Sequence, residues 1–326
     1  MHPVCRTLLA TFSVTVLGLG LAREGVACDL HALRTASAIV DDTPGLRLGV
    51  AEQWTRFATL QRGDDEIRDP YDERLESSIT QLVAEYRFTE RIGAGLYLPV
   101  IDRTFRRVTP SGSVEHGDVS GIGDLALLAD VMAFRRETDE STFRLGLVGG
   151  LELPTGNSHR LSEEQDENHT HAPGQGHAVS GIHGHDLALG SGSVDGIVGG
   201  DIFWSWRRAF VGASMLYGIR SEGSFDFEYA DDLQWSIAPG VVAWRGAEAL
   251  LAAQAVFSGE TKGEDKLDGR NLTDTAATTL YLGPGLEGSW KGLDAEVAVE
   301  VPVLTHRTGV QITPDVRVRG GLRWRF

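Results

Sequence analysis

From Ile312 to the C-terminus the chain alternates between two kinds of residue, and few folds accommodate that. One face collects Ile312, Pro314, Val316, Val318, Gly320, Leu322, Trp324 and Phe326; the other collects Thr313, Asp315, Arg317, Arg319, Gly321, Arg323 and Arg325. A period of two describes an extended strand whose faces meet different surroundings. The preceding run sorts the same way, with Leu293, Ala295, Val297, Val299, Val301 and Val303 opposing Asp294, Glu296, Ala298, Glu300, Pro302 and Leu304. Paired antiparallel, the two strands would set arginines against carboxylates on a shared face.

The same period recurs upstream. Single faces hold Ile92, Ala94, Leu96, Leu98 and Val100; Leu125, Leu127, Ala129, Val131 and Ala133; Phe143, Leu145, Leu147, Leu151 and Leu153. Further faces hold Trp235, Ile237, Val241 and Ala243, then Ala249, Leu251, Ala253, Ala255 and Phe257. With less regular stretches near 45–59, 75–88, 193–206, 209–220 and 277–290, about twelve strands are expected. Their connections alternate in length. Short ones fall near Thr89-Glu90-Arg91, Arg136 to Ser141, Arg207-Arg208, Gly246 and Lys291-Gly292, and long ones near 60–74, 107–120, 155–190, 221–232 and 258–275, with a shorter one around His306.

Short turns on one side, long loops on the other and an even strand count describe a transmembrane antiparallel β-barrel of the outer-membrane type. Hydrocarbon cannot satisfy a backbone amide, so strands cross lipid only when the sheet closes. The arginines and acids then face the lumen. A secreted soluble sandwich or barrel would also alternate, with its apolar face inside, but does not require the rhythm of connections. Tyr86, Phe88, Trp204, Trp244, Trp290, Trp324 and Phe326 fall near strand ends, where an interfacial aromatic girdle belongs.

The first 27 residues read as an export signal, with Arg6, an apolar stretch from Leu8 to Ala22, and Gly25-Val26-Ala27 before the cut. The expected organisation is a signal at 1–27, a periplasmic segment at 28–44 and an outer-membrane barrel at 45–326 bearing a histidine-rich external loop at 155–190. Removing the signal removes Cys5 and leaves Cys28, so no intramolecular disulfide framework is expected. With 46 acids against 30 bases, the chain lacks the basic surface that nucleic acid requires.

Gly121-Ile122-Gly123-Asp124-Leu125, Leu151-Glu152-Leu153-Pro154-Thr155-Gly156 and Gly190-Ser191-Gly192-Ser193-Val194-Asp195 resemble motifs of the outer-membrane transporters grouped with the meta-pathway of phenol degradation. The resemblance runs from about Gly121 to the C-terminus and implies an outer-membrane barrel that handles small solutes, aromatic compounds among them. Phe326, with Trp324 and Leu322 on its face, is similar to the closing strand by which the barrel-insertion machinery recognises such proteins. Without the resemblance, the mid-strand glycines Gly146, Gly150, Gly196, Gly199 and Gly200 indicate tight curvature or lumen space.

His159, His169, His171, His177, His183 and His185 lie within one 27-residue stretch, interleaved with carboxylates. Such density suits zinc, copper or nickel, and the two His-x-His pairs offer neighbouring donors. The glycines around them argue against a pre-formed site, and a solvated loop fits equally. Cys28 and His31 form a Cys-x-x-His pair that could hold metal, or Cys28 could carry lipid; an ordinary thiol fits too. Acids at 64–73 and 222–232 could form a cation-concentrating rim or simply a solvated face.

A lipid hydrolase would need Ser and His together on a strand, yet His31, His116, His159, His169, His171, His177, His183, His185 and His306 all fall in expected loops or the N-terminal segment. No enzyme activity is therefore expected, and no cofactor is required. The expected function is a passive outer-membrane channel or transporter for small solutes. A metal-capturing surface protein and an outer-membrane lipid hydrolase stand as alternatives. The expected lumen lining comprises Asp124, Asp130, Arg144, Glu152, Asp195, Asp201, Asp294, Glu296, Glu300, Arg317, Arg319, Arg323 and Arg325. Expected partners are outer-membrane lipid, the insertion machinery, and small solutes or metal cations.

Overall fold

A computed structural model describes residues 43–109, 111–165 and 179–326. The wall of the molecule is built from β1 (Gly45–Arg62), β2 (Arg74–Arg87), β3 (Ile92–Val108), β4 (Val114–Ile122), β5 (Leu125–Glu137), β6 (Ser141–Leu153) and β7 (Asp195–Trp206). It continues through β8 (Ala209–Ile219), β9 (Asp232–Arg245), β10 (Ala249–Lys262), β11 (Ala277–Trp290), β12 (Leu293–Arg307) and β13 (Val310–Arg325). Every neighbour is antiparallel, and β13 pairs β1 from Arg47↔Arg325 to Arg62↔Val310, which closes the sheet.

Strands β4 and β5 together occupy one wall position. The lower half of β3 pairs β5 (Ile92↔Val131 to Tyr97↔Ala126) and its upper half pairs β4 (Val100↔Ile122 to Val108↔Val114). The break falls at Gly123-Asp124, so the closed barrel has twelve wall positions. The stretch 107–120, expected as a loop, is therefore largely strand. The outward face of β4 carries His116, Asp118 and Ser120, because no lipid surrounds it there, and its inward face holds Glu115, Gly117, Val119 and Gly121, so it lacks the alternation that betrays the other strands. His116 and His306 accordingly lie on strands rather than in loops.

Facing follows residue parity. Val297, Val299 and Val301 are 43–49% exposed, while Ala298 is 7% and Glu300 0% exposed. The outward row meets lipid and the inward row fills a narrow barrel. Tyr86, Phe88, Trp204, Trp206, Trp244, Trp290, Trp324 and Phe326 are exposed at the short-turn end, as a girdle requires. There Lys291 (φ 48°) and Gly292 (φ 84°) make a two-residue turn with both central residues left-handed, matching the twist of β11 and β12. A small three-stranded sheet of Phe227–Glu228, Lys266–Leu267 and Arg270–Asn271 stands among the long loops.

Candidate functional site

The inward row carries one continuous apolar patch among charged groups. Val83, Tyr97, Ala126, Leu128, Val148, Ile197 and Leu216, from β2, β3 and β5–β8, form one buried apolar cluster. The opposite wall, from β10–β13, is charged. Glu300 pairs with Arg317 (Nε, 3.2 Å) and Arg319 (Nε, 2.8 Å) and accepts a hydrogen bond from Ser258 Oγ at 2.6 Å. Arg317 also reaches Glu260 at 3.2 Å and lies 3.6 Å over the Tyr281 ring. Below them Arg323 is 3.5 Å from Asp294. The register Glu300↔Arg317 and Asp294↔Arg323 produces these pairs, and burial demands them, since an unpaired charge in a narrow lumen would be costly.

Among the remaining residues expected to line the lumen, Asp130 pairs with Arg87 at 2.9 Å and Arg144 stacks 4.7 Å over Phe203. Asp201 lies against Gly146, where no side chain intervenes. Glu296 borders a small hollow with Asp294, Glu287 and Arg323, and Arg325 comes up against the Gly292 turn. Glu152 and Asp195 meet at Arg220, which the sequence reading missed. Its guanidinium lies 2.5 Å from Glu152, 3.1 Å from Asp195 and 2.7 Å from Asp232. Arg220 ends β8 at the foot of a long loop, where nothing in the local pattern marks it as inward.

Of the loop between β6 and β7, the described residues 179–193 do not stay outside the barrel. Residues 179–193 fold back into the mouth, where Ile182 and Leu187 pack with Leu75, Phe105 and Ile312, and Leu189 packs with Ile79 and Ile101. Three wall side chains hold them. Glu73 accepts from Ser180 Oγ (2.7 Å), the Gly181 amide (2.9 Å) and the Val108 amide (2.7 Å). Arg103 donates to the carbonyls of Asp186 (2.9 Å) and Ala188 (2.8 Å). Asp124, at the break between β4 and β5, accepts from the Gly156 amide (2.8 Å) and from the Ser191 amide (2.7 Å) and hydroxyl (3.0 Å). The glycine motifs thus have a local use: at Gly192 (φ 75°) a Cβ would come within 2.0 Å of Ser224 Oγ.

Two of the six clustered histidines sit in this plug. His183 caps the helical turn Gly184–Leu187, and its ring stacks on His185 at 5.5 Å. His185 is buried, with Nδ1 2.9 Å from Glu164 Oε1 and Nε2 3.6 Å from Asp186. Burial would push the Glu164 carboxyl up, but the charge and hydrogen bonds of His185 outweigh it and hold the group at about 2. Burial likewise opposes protonation of His185, and the carboxylates of Asp186 and Glu164 reverse the effect and raise its pKa. His159 rests against the Phe225 ring at 6.0 Å. His169, His171, His177, Cys28 and His31 lie outside the described residues, and among the described residues no three His, Cys, Asp or Glu side chains converge as metal ligands. The acids at 64–73 and 222–232 are partly structural, since Glu73 and Asp232 are buried anchors.

Between the plug and the wall remains a cavity of about 110 Å³, where Pro99, Ile101 and Leu189 meet the charged groups of Arg103, Asp124, Arg220, Asp232 and Lys262. No family model matches the chain, and no curated protein matches it in sequence. An outer membrane channel from Pseudomonas putida F1 is similar in structure, with a TM-score of 0.63 and 15% identity over 90% of this chain and 98% of that one. Two other barrels align more loosely. The β domain of the Bordetella autotransporter BrkA gives a TM-score of 0.44 and 11% identity over 87% and 100% of the two chains. LpxR from Salmonella typhimurium gives 0.40 and 10% over 86% and 100%. The fold is that of an outer-membrane barrel.

Proposed function

We propose that this outer-membrane barrel is a passive channel for small solutes, constricted by its own inward-folded loop. The observation that carries the reading is the seat of residues 179–193 on Glu73, Arg103 and Asp124, with a small cavity of mixed apolar and charged lining left beside them. A lumen that offers an apolar patch beside charged groups suits a solute that is itself two-sided: a compact apolar body carrying one polar group, as substituted aromatic compounds do. Such a solute can shed water along Val83, Leu128 and Ile197 while its polar group exchanges hydrogen bonds along the opposite wall. A cavity of about 110 Å³ admits little more than one ring at a time, so passage requires the plug to shift.

Planar-bilayer recording of wild type beside Arg103→Gln tests this. Losing the guanidinium that reaches two plug carbonyls loosens the loop, and the variant is expected to spend more time in, or reach, a larger conducting level. Liposomes carrying the protein should also take up phenol-like solutes faster than sugars of similar size. Absence of conductance in both proteins, with no solute uptake, overturns the channel reading.

A further inference from the structure

The outward row of β1 departs from the rest of the wall. Leu46, Leu48 and Val50 are followed on the same face by Glu52 and Trp54. Thr80 and Ser78 of β2 lie opposite them, and their hydroxyls donate to the two oxygens of the Glu52 carboxylate. Six residues of rise at about 3.3 Å each, on a strand tilted by about 40°, put Glu52 about 15 Å above Leu46, well inside an apolar band about 25 Å tall. Around the other side of the barrel the outward positions in that band are residues such as Leu96, Leu127, Leu147, Met215 and Val241.

Beyond Glu52, on the β13 side, the wall is bare. Gly320 pairs with Glu52, and from there a concavity of about 580 Å³ runs past Ala295 and Gly288 to Leu286 and Leu251. The chain itself does not require these two outward glycines. A Cβ at Gly288 would lie 3.5 Å from the nearest atom and one at Gly320 3.6 Å, which is ordinary contact. At Gly150, Gly199 and Gly283, by contrast, a Cβ would strike a neighbouring carbonyl at 2.0, 2.2 and 1.7 Å. Smallness at Gly288 and Gly320 answers to something outside the barrel.

We propose that this sector, from β10 across β13 to β2, is the face through which two copies of the chain associate in the bilayer. Within lipid, association comes from close packing over small residues and from hydrogen bonds between polar groups that hydrocarbon cannot satisfy. A twofold contact presents the same patch to itself, so one face must hold both donor and acceptor. Glu52 supplies the acceptor and Trp54, two residues along the same row, supplies an indole N–H donor. Under a twofold axis near Glu52, the Trp54 of each copy meets the Glu52 of the other, and the bare strip over Gly288 and Gly320 receives the facing Leu and Val side chains. An acyl chain could fill the concavity but offers no donor to the Glu52 lone pairs that Ser78 and Thr80 leave open.

The test uses the full chain in phosphatidylethanolamine/phosphatidylglycerol vesicles, with energy transfer between labelled copies measured across protein:lipid ratios. Wild type is expected to pair, with Glu52→Leu and Gly320→Leu each raising the apparent dissociation constant at least tenfold. The control Leu147→Ala, on the far side of the wall, should change it little. Because Glu52→Leu could fail to insert, a second measurement leaves Glu52 in place. Gly320→Cys in a Cys28→Ser background should form an intermolecular disulfide under oxidation, and Leu147→Cys in the same background should not. A wild type that stays monomeric at every ratio, pairing indifferent to both substitutions, or a phospholipid co-purifying on the Glu52 sector of a monomer overturns the proposal. The channel reading is untouched by any of these outcomes, since it rests on the lumen.

Discussion

At the scale of single residues, parity along a strand decides almost everything. Val299 and Ala298 are neighbours in sequence, yet one looks into lipid and the other into the lumen. Val299→Arg is therefore expected to lower refolding free energy in vesicles by roughly 2–4 kcal/mol, as a cation near the midplane does, and Ala298→Arg by less. Equal or reversed penalties would overturn the assignment of faces. Glu300 is a different case, because it lies at no exposure between Arg317 and Arg319. Glu300→Gln removes the carboxylate paired with Arg319 and one of the two paired with Arg317, and should cost about 3–5 kcal/mol in the same assay, whereas losing one partner of the exposed Arg207–Glu140 pair should cost under about 1 kcal/mol. Both facing and pairing of Glu300 were legible in the alternation of β12 and β13. Arg220 was not, since a residue at the end of a strand beside a long loop has no neighbours in sequence that fix its direction.

At the scale of elements, the proposed channel turns on the plug. Its hold includes the Glu164–His185 pair, and the two partners respond to pH in opposite senses. His185 has a raised pKa, so its contribution is complete below the ordinary imidazole value of 6.5 and is lost as pH rises through the higher folded-state value. Glu164, held at about 2, contributes above its ordinary 4.5 and loses that contribution only as pH falls toward 2. The plug is thus seated most firmly between these ordinary values, from about pH 4.5 to 6.5, and loosens on the alkaline side. Open probability in planar bilayers should rise as pH climbs through and beyond the neutral range, and Glu164→Gln should flatten that dependence. A wild type with the same open probability from pH 6 to pH 9 would remove the pair from any gating role. None of this was visible in a histidine-rich stretch, whose composition suggested donors for metal and a solvated loop; burial of His185 between Glu164 and Asp186 arises only when the loop meets the barrel mouth.

At the scale of the molecule, the barrel is closed by backbone pairing of β13 with β1, to which the plug contributes little ladder. Deleting residues 179–193 with a short glycine bridge should leave the heat-resistant, folded barrel on semi-native electrophoresis and raise single-channel conductance several-fold. Loss of the folded band would instead make the segment part of the structural core. The architecture itself followed from the chain alone: period-two alternation, the short and long rhythm of connections and the aromatic ends are local consequences of strands crossing a slab of hydrocarbon, so they are written in consecutive residues. The external strand β4 escaped because above the lipid its outward face is polar and its inward face is largely glycine. The tertiary structure alone decided what the lumen is. It set Glu73, Arg103 and Asp124 around a returning loop, joined Glu152, Asp195 and Asp232 on Arg220, and gathered Val83, Leu128 and Ile197 into one apolar patch. Those groups come from segments as far apart as 73 and 181 or 103 and 188, and contacts between distant segments depend on barrel radius and stagger, which no local pattern of residues encodes.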